Sequence, residues 1–587
     1  MILQALKEYY DRKLEEGLIA PDGWIRGGID FLLELNFDGT IQAISDLREL
    51  EGKRKNSHPL DVPNIGNQAL KHSNSGKDAN LLWDNAAFVF GLGDKGDMRL
   101  QSMIEAIDNW LEETNDLGVI AVRKFLANGL EDRKQFDLAL LHPEYGEILR
   151  EGNVKVSFRV PQTDCKFVFH APVVADALRK VGHGSTDDSN LPNRGTCLVT
   201  GAQAVTIEST HPVTKGVWGA QSSGACIVSF NKDAFNSYSK TQSLNAPVSK
   251  LVASQYGKAL NTLLDSSRQC IHIGDTSTVF WSERRSSFES DFSFFFQEPG
   301  KDDPDAGTEK VKALFESVYS GAYYDDEGDT QFYILGLAPN AARIAVRFWQ
   351  VGTISQFAAR IKRYFDEFAI VKPPREPEFY SIWRVLVNVS TQDKSENIPP
   401  NVAGDFMRSI LTGAPYPATL LQAVLRRIRS DTESRVKPVR AALIKAYLNR
   451  YYWVYPNPNH KEVAMELDTT QPSVGYQLGR LFAALEKIQE EANPGINATI
   501  RERFYGAACA TPVTVFANLL RLKNHHLAKL DNKGRGVYFE RLLGEIIGTF
   551  NEFPAHLGLH EQGRFAIGYY HQRQAFFSKK ENEAVLN

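Results

Sequence analysis

Ile2, Leu3, Leu6, Tyr9 and Tyr10 fall at helical spacing, and PDGW (21–24) interrupts that periodicity with a turn. A helix therefore opens the chain. FLLELNFDGTIQAISDLRE then carries two strand-like runs around Asp38-Gly39, a dipeptide suited to the positive φ angles of a tight turn, so a β-hairpin is predicted. From Lys53 to Asn80 the residues are polar, with almost no apolar period before LLWDNAAFVFG; this predicts an exposed loop running into a helix. Helical patterns fill roughly 97–151. VKVSFRV (154–160) and CKFVFHAPVV (165–174) return to strand-like alternation.

Residues 183–250 are rich in Gly, Ser, Thr and Asn, broken by short apolar runs such as ACIVSF (225–230), which suits strands joined by loops. Helical spacing resumes over 249–267, and STVFWSE (277–283) reads as a strand. The acidic stretch EPGKDDPDAGTE (around 299–310) reads as a solvated linker and marks a domain boundary near 300. TQFYILGLAPNAARIAVRFWQ (330–350) reads as strand, turn and strand, with Pro339-Asn340 at the turn. Beyond about 353 the pattern is helical, and Leu478, Leu481, Phe482, Leu485 and Ile488 form one apolar stripe. Pro456 and Pro458 in YPNPN break the helices there.

The fold class predicted is α+β: a mixed N-terminal region with β-hairpins (1–300), a connecting region of strands and helices (301–400), and an all-α bundle (401–587). A chain of 587 residues exceeds what one hydrophobic core usually supports. With 43% hydrophobic and 24% charged residues it can build sizeable cores and is not a disordered chain. Its five cysteines, Cys165, Cys197, Cys226, Cys270 and Cys509, have no CxxC spacing, so neither a zinc motif nor a disulfide framework is expected. With an acidic, amphipathic first helix and no long apolar run, the chain is expected to be cytoplasmic and to have no membrane contact.

A net charge of −4 suits no simple nucleic-acid coat, so any basic surface must be local. The densest concentration is 421–450, where Arg426, Arg427, Arg429, Arg435, Lys437, Arg440, Lys445 and Arg450 outnumber Asp431 and Glu433 to give +6. Tyr447, Tyr451, Tyr452, Trp453 and Tyr455 accompany them. Charge with stacking surface suits a single nucleic-acid strand, whereas aromatics at helical spacing also suit a core beneath a solvated basic face. Lys53, Arg54, Lys55, Asn74, Lys77 and Asn80 compose a second region, in which cations would neutralise phosphate and Asn could pair with base edges; a plain solvated loop has the same composition.

Gly219-Ala-Gln-Ser-Ser-Gly224 has the outer spacing of a phosphate-binding loop, but Ala225 and Cys226 stand where Lys and Ser or Thr are needed, so nucleotide hydrolysis is not expected. The segment makes a tight turn, or lets Gln221, Ser222, Ser223 and backbone N–H groups approach a nucleic-acid backbone or groove. His211 and His525-His526 lack the HExxH, paired-carboxylate or Cys company of a metal or acid–base site. Cys226 and Cys270 could be nucleophiles only with a His and an acid converging in space. No catalytic or metal-binding residue is assigned.

Six segments in order carry a resemblance: MILQALKEYY (1–10), NLLWDNAAFVFG (80–91), HPVTKGVWGAQSSGACIVSFNKDAFNSY (211–238), NAPVSKLVASQYGKALNTLL (245–264), GDTSTVFW (274–281) and LAPNAARIAVRFW (337–349). Together they resemble the large-subunit family of the subtype I-C CRISPR Cascade effector complex, the Csd-type or Cas-eight-c family. The likeness covers about residues 1–350; beyond that it rests on helical character and on YPATLLQAVLRRIRS (416–430).

The resemblance implies a non-catalytic subunit without cofactor that works beside crRNA, target double-stranded DNA, backbone subunits, a handle-binding subunit and small subunits. Its N-terminal part would read the protospacer-adjacent motif and help open the duplex. Its helical part would hold the displaced strand, and the subunit would help recruit the helicase-nuclease after the R-loop forms. On this basis Lys53 to Asn80 and Gly219 to Gly224, with Asn231, Lys240 and Asn245, are the candidate motif readers, and the 421–450 cations the candidate strand holders. The family also makes small subunits from internal starts, for which Met465, ahead of helical residues 465–587, is the candidate. The competing function is a metal-dependent nucleic-acid-processing enzyme assembled from dispersed acids and histidines.

Overall fold

A computed structural model describes the chain except for residues 52–53, 66–78, 183–193, 274, 297–315, 317–318, 322–327, 341–342, 432–434, 459 and 578–587. The linker and boundary placed near 300 fall outside the described residues. The described chain forms two compact units, one of residues 1–214 and 226–262, the other of residues 215–225 and 263–587.

The first unit opens with α1 (Ile2–Glu15), which buries Leu6, Tyr9 and Tyr10 as its spacing predicted. β1 (Trp24–Ile29) is followed by β2 (Phe31–Leu35) and β3 (Ile41–Asp46), the antiparallel pair expected around Asp38-Gly39. Gly39 has φ +82°, and an added Cβ would lie 2.6 Å from the Phe125 amide nitrogen. Both the left-handed backbone and the close approach therefore demand glycine. Asp38 Oδ1 accepts from the Thr40 N–H (2.9 Å) and hydroxyl (2.7 Å), closing the turn.

The stretch expected to be one exposed loop instead contains β5 (Arg54–Asn56), which pairs with the preceding β4 (Glu49–Glu51), and β6 (His58–Pro63), which pairs with β1. Polar composition hid these strands, because their stabilisation comes from ladder hydrogen bonds rather than apolar alternation. β7 (Trp83–Asn85) and β8 (Lys155–Arg159) complete a four-stranded sheet in the order β3-β2-β8-β7, with β2 and β8 parallel.

Helices α2 (Ala86–Val89), α3 (Gly96–Leu111), α4 (Leu117–Glu131), α5 (Lys134–Leu140) and α6 (Gly146–Arg150) separate β7 from β8 and supply Met103, Val122, Phe125 and Phe136 to the core. CKFVFHAPVV is not a strand: Phe167, Val168 and Phe169 are consecutively buried in a 3₁₀ turn, and Pro172 begins α7 (Pro172–Gly182). Strand alternation would have exposed one of those three. Of ACIVSF only Ala225–Cys226 is strand. α8 (Lys250–Asp265) follows as predicted.

The second unit contains an antiparallel meander of β9 (Cys270–Ile273), β10 (Thr276–Ser282), β11 (Gln331–Asn340) and β12 (Arg343–Thr353). Trp281, Tyr333 and Trp349 pack across three strands with centroids 5.5–5.6 Å apart, Tyr333 and Trp349 stacked and Trp281 tilted against both. α9 (Phe288–Phe296) adds Phe288 and Phe292 to the core.

Helices then dominate: α10 (Ile354–Phe368), α11 (Ile382–Val389), α12 (Pro400–Thr412), α13 (Ala418–Ser430), α14 (Pro438–Val454), α15 (Val474–Ala492), α16 (Ile500–Ala510), α17 (Phe516–Leu527), α18 (Lys533–Ile547) and α19 (Leu559–Phe577). The Thr353–Gln356 capping box starts α10, whose buried Ile354, Phe357, Ala358, Ile361 and Phe365 follow the 3-4-7 rhythm. Among the described residues no helix is long and apolar enough to cross a membrane.

α15 is buried on more than its predicted stripe, because α19 presses directly on it. A Cβ on Gly479 would lie 2.0 Å from the Phe565 carbonyl oxygen, and one on Gly568 would lie 2.0 Å from that of Tyr476. Glycine at these positions brings the two backbones into contact.

Candidate nucleic-acid interface

The glycine loop is the best formed of the predicted regions. Trp218 N–H donates to Ser277 Oγ at 2.8 Å, fixing the loop to the start of β10, and the Gly224 N–H closes onto the Gln221 carbonyl at 2.8 Å. Gly219 (φ +73°) and Gly224 (φ +78°) both occupy the left-handed region. Gln221, Ser222 and Ser223 consequently stand in solvent on a braced turn, and the exposed Trp218 indole lies 5.3 Å from the His272 ring. No helix follows this turn, unlike a phosphate-binding loop, so the site lacks a helix dipole as well as the Lys. What remains is short amide and hydroxyl side chains able to donate and accept at a groove edge or phosphate.

Asn231, Lys240 and Asn245 belong to the first unit, the loop to the second. Asn231 and Lys240 are exposed, whereas the Asn245 amide donates to the carbonyls of Lys240 (3.1 Å) and Gln242 (3.0 Å). Asn245 thus shapes a turn and its donors are already used.

Of the 53–80 candidates, Lys53, Asn74 and Lys77 lie outside the described residues, and Arg54 lies on β5. Lys55 Nζ pairs with Asp46 Oδ2 at 2.9 Å. Arg48, with lesser help from Lys55, holds the Asp46 carboxyl far below the usual carboxylate range. Asn80 corrects the sequence expectation: it is only 3% exposed, with its N–H on Asp84 Oδ2 at 2.9 Å, so it belongs to the interior.

The 421–450 cluster is corrected more deeply. Arg435, Arg440, Lys445 and Arg450 are buried. Arg440, wholly inaccessible, donates to Asp431 Oδ2 (2.8 Å), Asp393 Oδ1 (2.9 Å) and the carbonyls of Asn388 (2.9 Å) and Arg435 (3.0 Å). Arg427 and Lys437 converge on the same Asp393 at 3.2 and 2.6 Å. Burial works to raise the Asp393 pKa, but Lys437, Arg440 and Arg427 outweigh it and the carboxyl titrates below its ordinary value.

Arg450 grips Glu367 bidentately at 2.9 and 2.6 Å, and Lys445 donates to the Glu367 carbonyl at 3.0 Å. Burial lowers the Lys445 ammonium pKa. These cations tie helices together. Arg426 and Arg429 stay exposed on α13, Arg429 bonding Gln562. Of the aromatics, Tyr447 packs inward, while Trp453, under the Arg363 guanidinium at 3.6 Å, and Tyr455 remain exposed.

Sequence reasoning passed over several exposed groups. Tyr238 is 94% exposed on a turn of left-handed residues, and Arg503, Lys529 and Lys533 are exposed cations without a salt bridge among the described residues.

His211 is buried, its Nδ1 2.6 Å from the Tyr256 hydroxyl, and burial lowers its pKa. Burial pushes the Cys270 thiol up to about 11 and also raises Cys226, whose Sγ donates to the His211 carbonyl at 3.1 Å. Such thiols are poor nucleophiles. Among the described residues no group of three or more His, Cys, Asp or Glu could hold a metal ion. Met465 is exposed, and its carbonyl accepts from the Val371 N–H at 2.9 Å.

The described residues thus present a braced polar loop and scattered exposed cations, while much of the densest basic cluster is spent on internal ion pairs. The family model described as CRISPR-associated protein (Cas_Csd1) matches residues 6–577, and the chain belongs to that family. Membership implies work in a CRISPR complex with nucleic acid and other Cas proteins. No curated protein matches the chain.

Proposed function

We propose that this chain is the non-catalytic large subunit of a crRNA-guided type I-C surveillance complex. It recognises the protospacer-adjacent motif in double-stranded DNA, aids R-loop formation, stabilises the non-target strand and helps recruit the helicase-nuclease. Family membership over 6–577 carries the reading. The braced Gly219–Gly224 loop supports duplex contact, since Gln221 can pair with base edges while its serines and amides meet phosphate. Guide pairing supplies the long-range sequence selection, so only a few base pairs need reading by protein.

Strand holding falls to exposed groups such as Arg426, Arg429, Trp453 and Tyr455 rather than to the buried cations. Met465 serves as the internal start for a small subunit of 465–587; replacing it with Leu should remove the short product and spare the full chain.

The test is a mobility-shift series on the assembled complex, with Lys53, Lys77, Gln221, Ser222 and Ser223 changed singly to Ala, on duplexes with and without the adjacent motif. Loss of motif dependence supports the reading, with about 1–3 kcal/mol of discrimination at stake if Gln221 makes a bidentate base contact. Undiminished motif-dependent binding in every variant overturns the assignment of readers. Metal-dependent cleavage by the purified chain, abolished by EDTA, overturns the non-catalytic assignment.

A further inference from the structure

Residues 237–240 form a two-residue hairpin turn. Ser237 and Lys240 make an isolated antiparallel bridge, the Lys240 N–H donates to the Ser237 carbonyl at 2.9 Å, and the central Tyr238 and Ser239 have φ of +50° and +60°. Turns with two left-handed central residues are normally filled by Asn and Gly, because a Cβ there is strained by about 1–2 kcal/mol per residue. Here a tyrosine and a serine occupy both places, and Gln242 (φ +49°), three residues after Ser239, repeats the strain.

Such a backbone persists only where its surroundings over-determine it. Asn245 supplies the brace by donating to the carbonyls of both Lys240 and Gln242, and the buried Ser243 hydroxyl anchors the segment on the Ser209 carbonyl at 2.8 Å. The Tyr238 ring takes no part in this, being 94% exposed. The fold therefore holds a large aromatic ring outward on a stiff, strained turn without using it for packing.

The charge of this segment favours one occupant. Between Asn231 and Lys250 three lysines, Lys232, Lys240 and Lys250, face a single acid, Asp233. Lys232 and Lys240 are exposed and salt-bridged to no carboxylate among the described residues. An exposed π-face on the same hairpin turn as the exposed Lys240 matches an unpaired base and its neighbouring phosphate.

We infer that Tyr238 is a base-stacking post that takes an unpaired base of the opened DNA, with Lys240 on the adjoining phosphate. This rests on the nucleic-acid reading above. It adds a site that receives a base after strands part, distinct in kind from the groove-reading loop.

The experiment measures fluorescence anisotropy of a labelled single-stranded oligonucleotide with the full chain, across a salt series, for wild type, Tyr238→Ala, Tyr238→Phe and Lys240→Ala. Tyr238→Ala should bind about 5- to 150-fold more weakly with an unchanged salt slope, and Tyr238→Phe should match wild type. Lys240→Ala should reduce the slope by about 0.7. Equal binding by wild type and Tyr238→Ala overturns the inference and leaves the functional reading standing. Failure of wild type to bind DNA, alone or in its complex, overturns both. Tyr238→Phe falling as far as Tyr238→Ala, or Tyr238→Ala losing co-purifying Cas proteins with DNA binding intact, also overturns it.

Discussion

Arg440 separates a structural account of the basic cluster from a nucleic-acid account of it. Its guanidinium is 0% exposed and delivers hydrogen bonds to two carboxylates, Asp393 and Asp431, and two carbonyls, so Arg440→Leu strips four acceptors while roughly preserving apolar bulk. Asp431 would retain Arg427 at 3.6 Å, and Asp393 would retain Arg427 and Lys437. Removing one partner of a buried ion network costs about 3–5 kcal/mol, because the remaining charges stay desolvated. At about 2–4 °C per kcal/mol for a domain of a few hundred residues, the melting transition should fall by roughly 10 °C.

Arg426→Leu, on the exposed face of the preceding helix, should melt within about 0.5 kcal/mol of wild type yet reduce the salt slope of single-strand binding by about 0.7. Paired thermal melts and salt titrations of the two variants form the assay. An Arg440→Leu protein that melts with wild type but has lost DNA affinity would refute the placement of these cations inside the bundle.

Gly479→Ala should force α15 from α19, since its Cβ would lie 2.0 Å from a backbone oxygen that no rotamer change can move. A loss of about 1–3 kcal/mol or more is expected in denaturant unfolding, against little change for Gly544→Ala, where a Cβ meets nothing within 4 Å. His571 is buried with its Nδ1 3.0 Å from the Tyr476 hydroxyl, and burial, with help from Lys445, lowers its pKa from 6.5 to about 4. The unfolded chain therefore binds this proton more readily. The stability contribution is intact above about pH 6.5 and falls as the pH drops towards 4, by about 3 kcal/mol at that pH. His571→Gln should flatten this part of the stability–pH curve in chemical denaturation.

The opening helix, the Asp38-Gly39 hairpin, the two strands β11 and β12 and the helical remainder were legible because local periodicity specifies them with little help from distant residues, although the Pro339-Asn340 turn was misplaced: both residues lie in β11, paired with Ile344 and Arg343. CKFVFHAPVV misled for the opposite reason: three successive apolar side chains were buried by tertiary packing, which overrides alternation. The six ordered segments were enough to indicate the family, and the Gly219–Gly224 spacing was enough to indicate an unusual turn.

Charge was where sequence alone fell short. Arg435, Arg440 and Arg450 are indistinguishable as residue types from Arg426 and Arg429, and +6 over thirty residues looks like a surface. Asp393, which pairs with Arg440, and Glu367, which pairs with Arg450, lie far back along the chain, in the turn after α11 and on α10 respectively. Only the packing of α10, α11, α13 and α14 brings those carboxylates in, neutralises the guanidiniums and takes them from solvent. Sequence determined which charges exist and which helices carry them. Tertiary structure decided which remain in water to meet phosphate, because burial depends on what the fold lays over a side chain and not on what the side chain is.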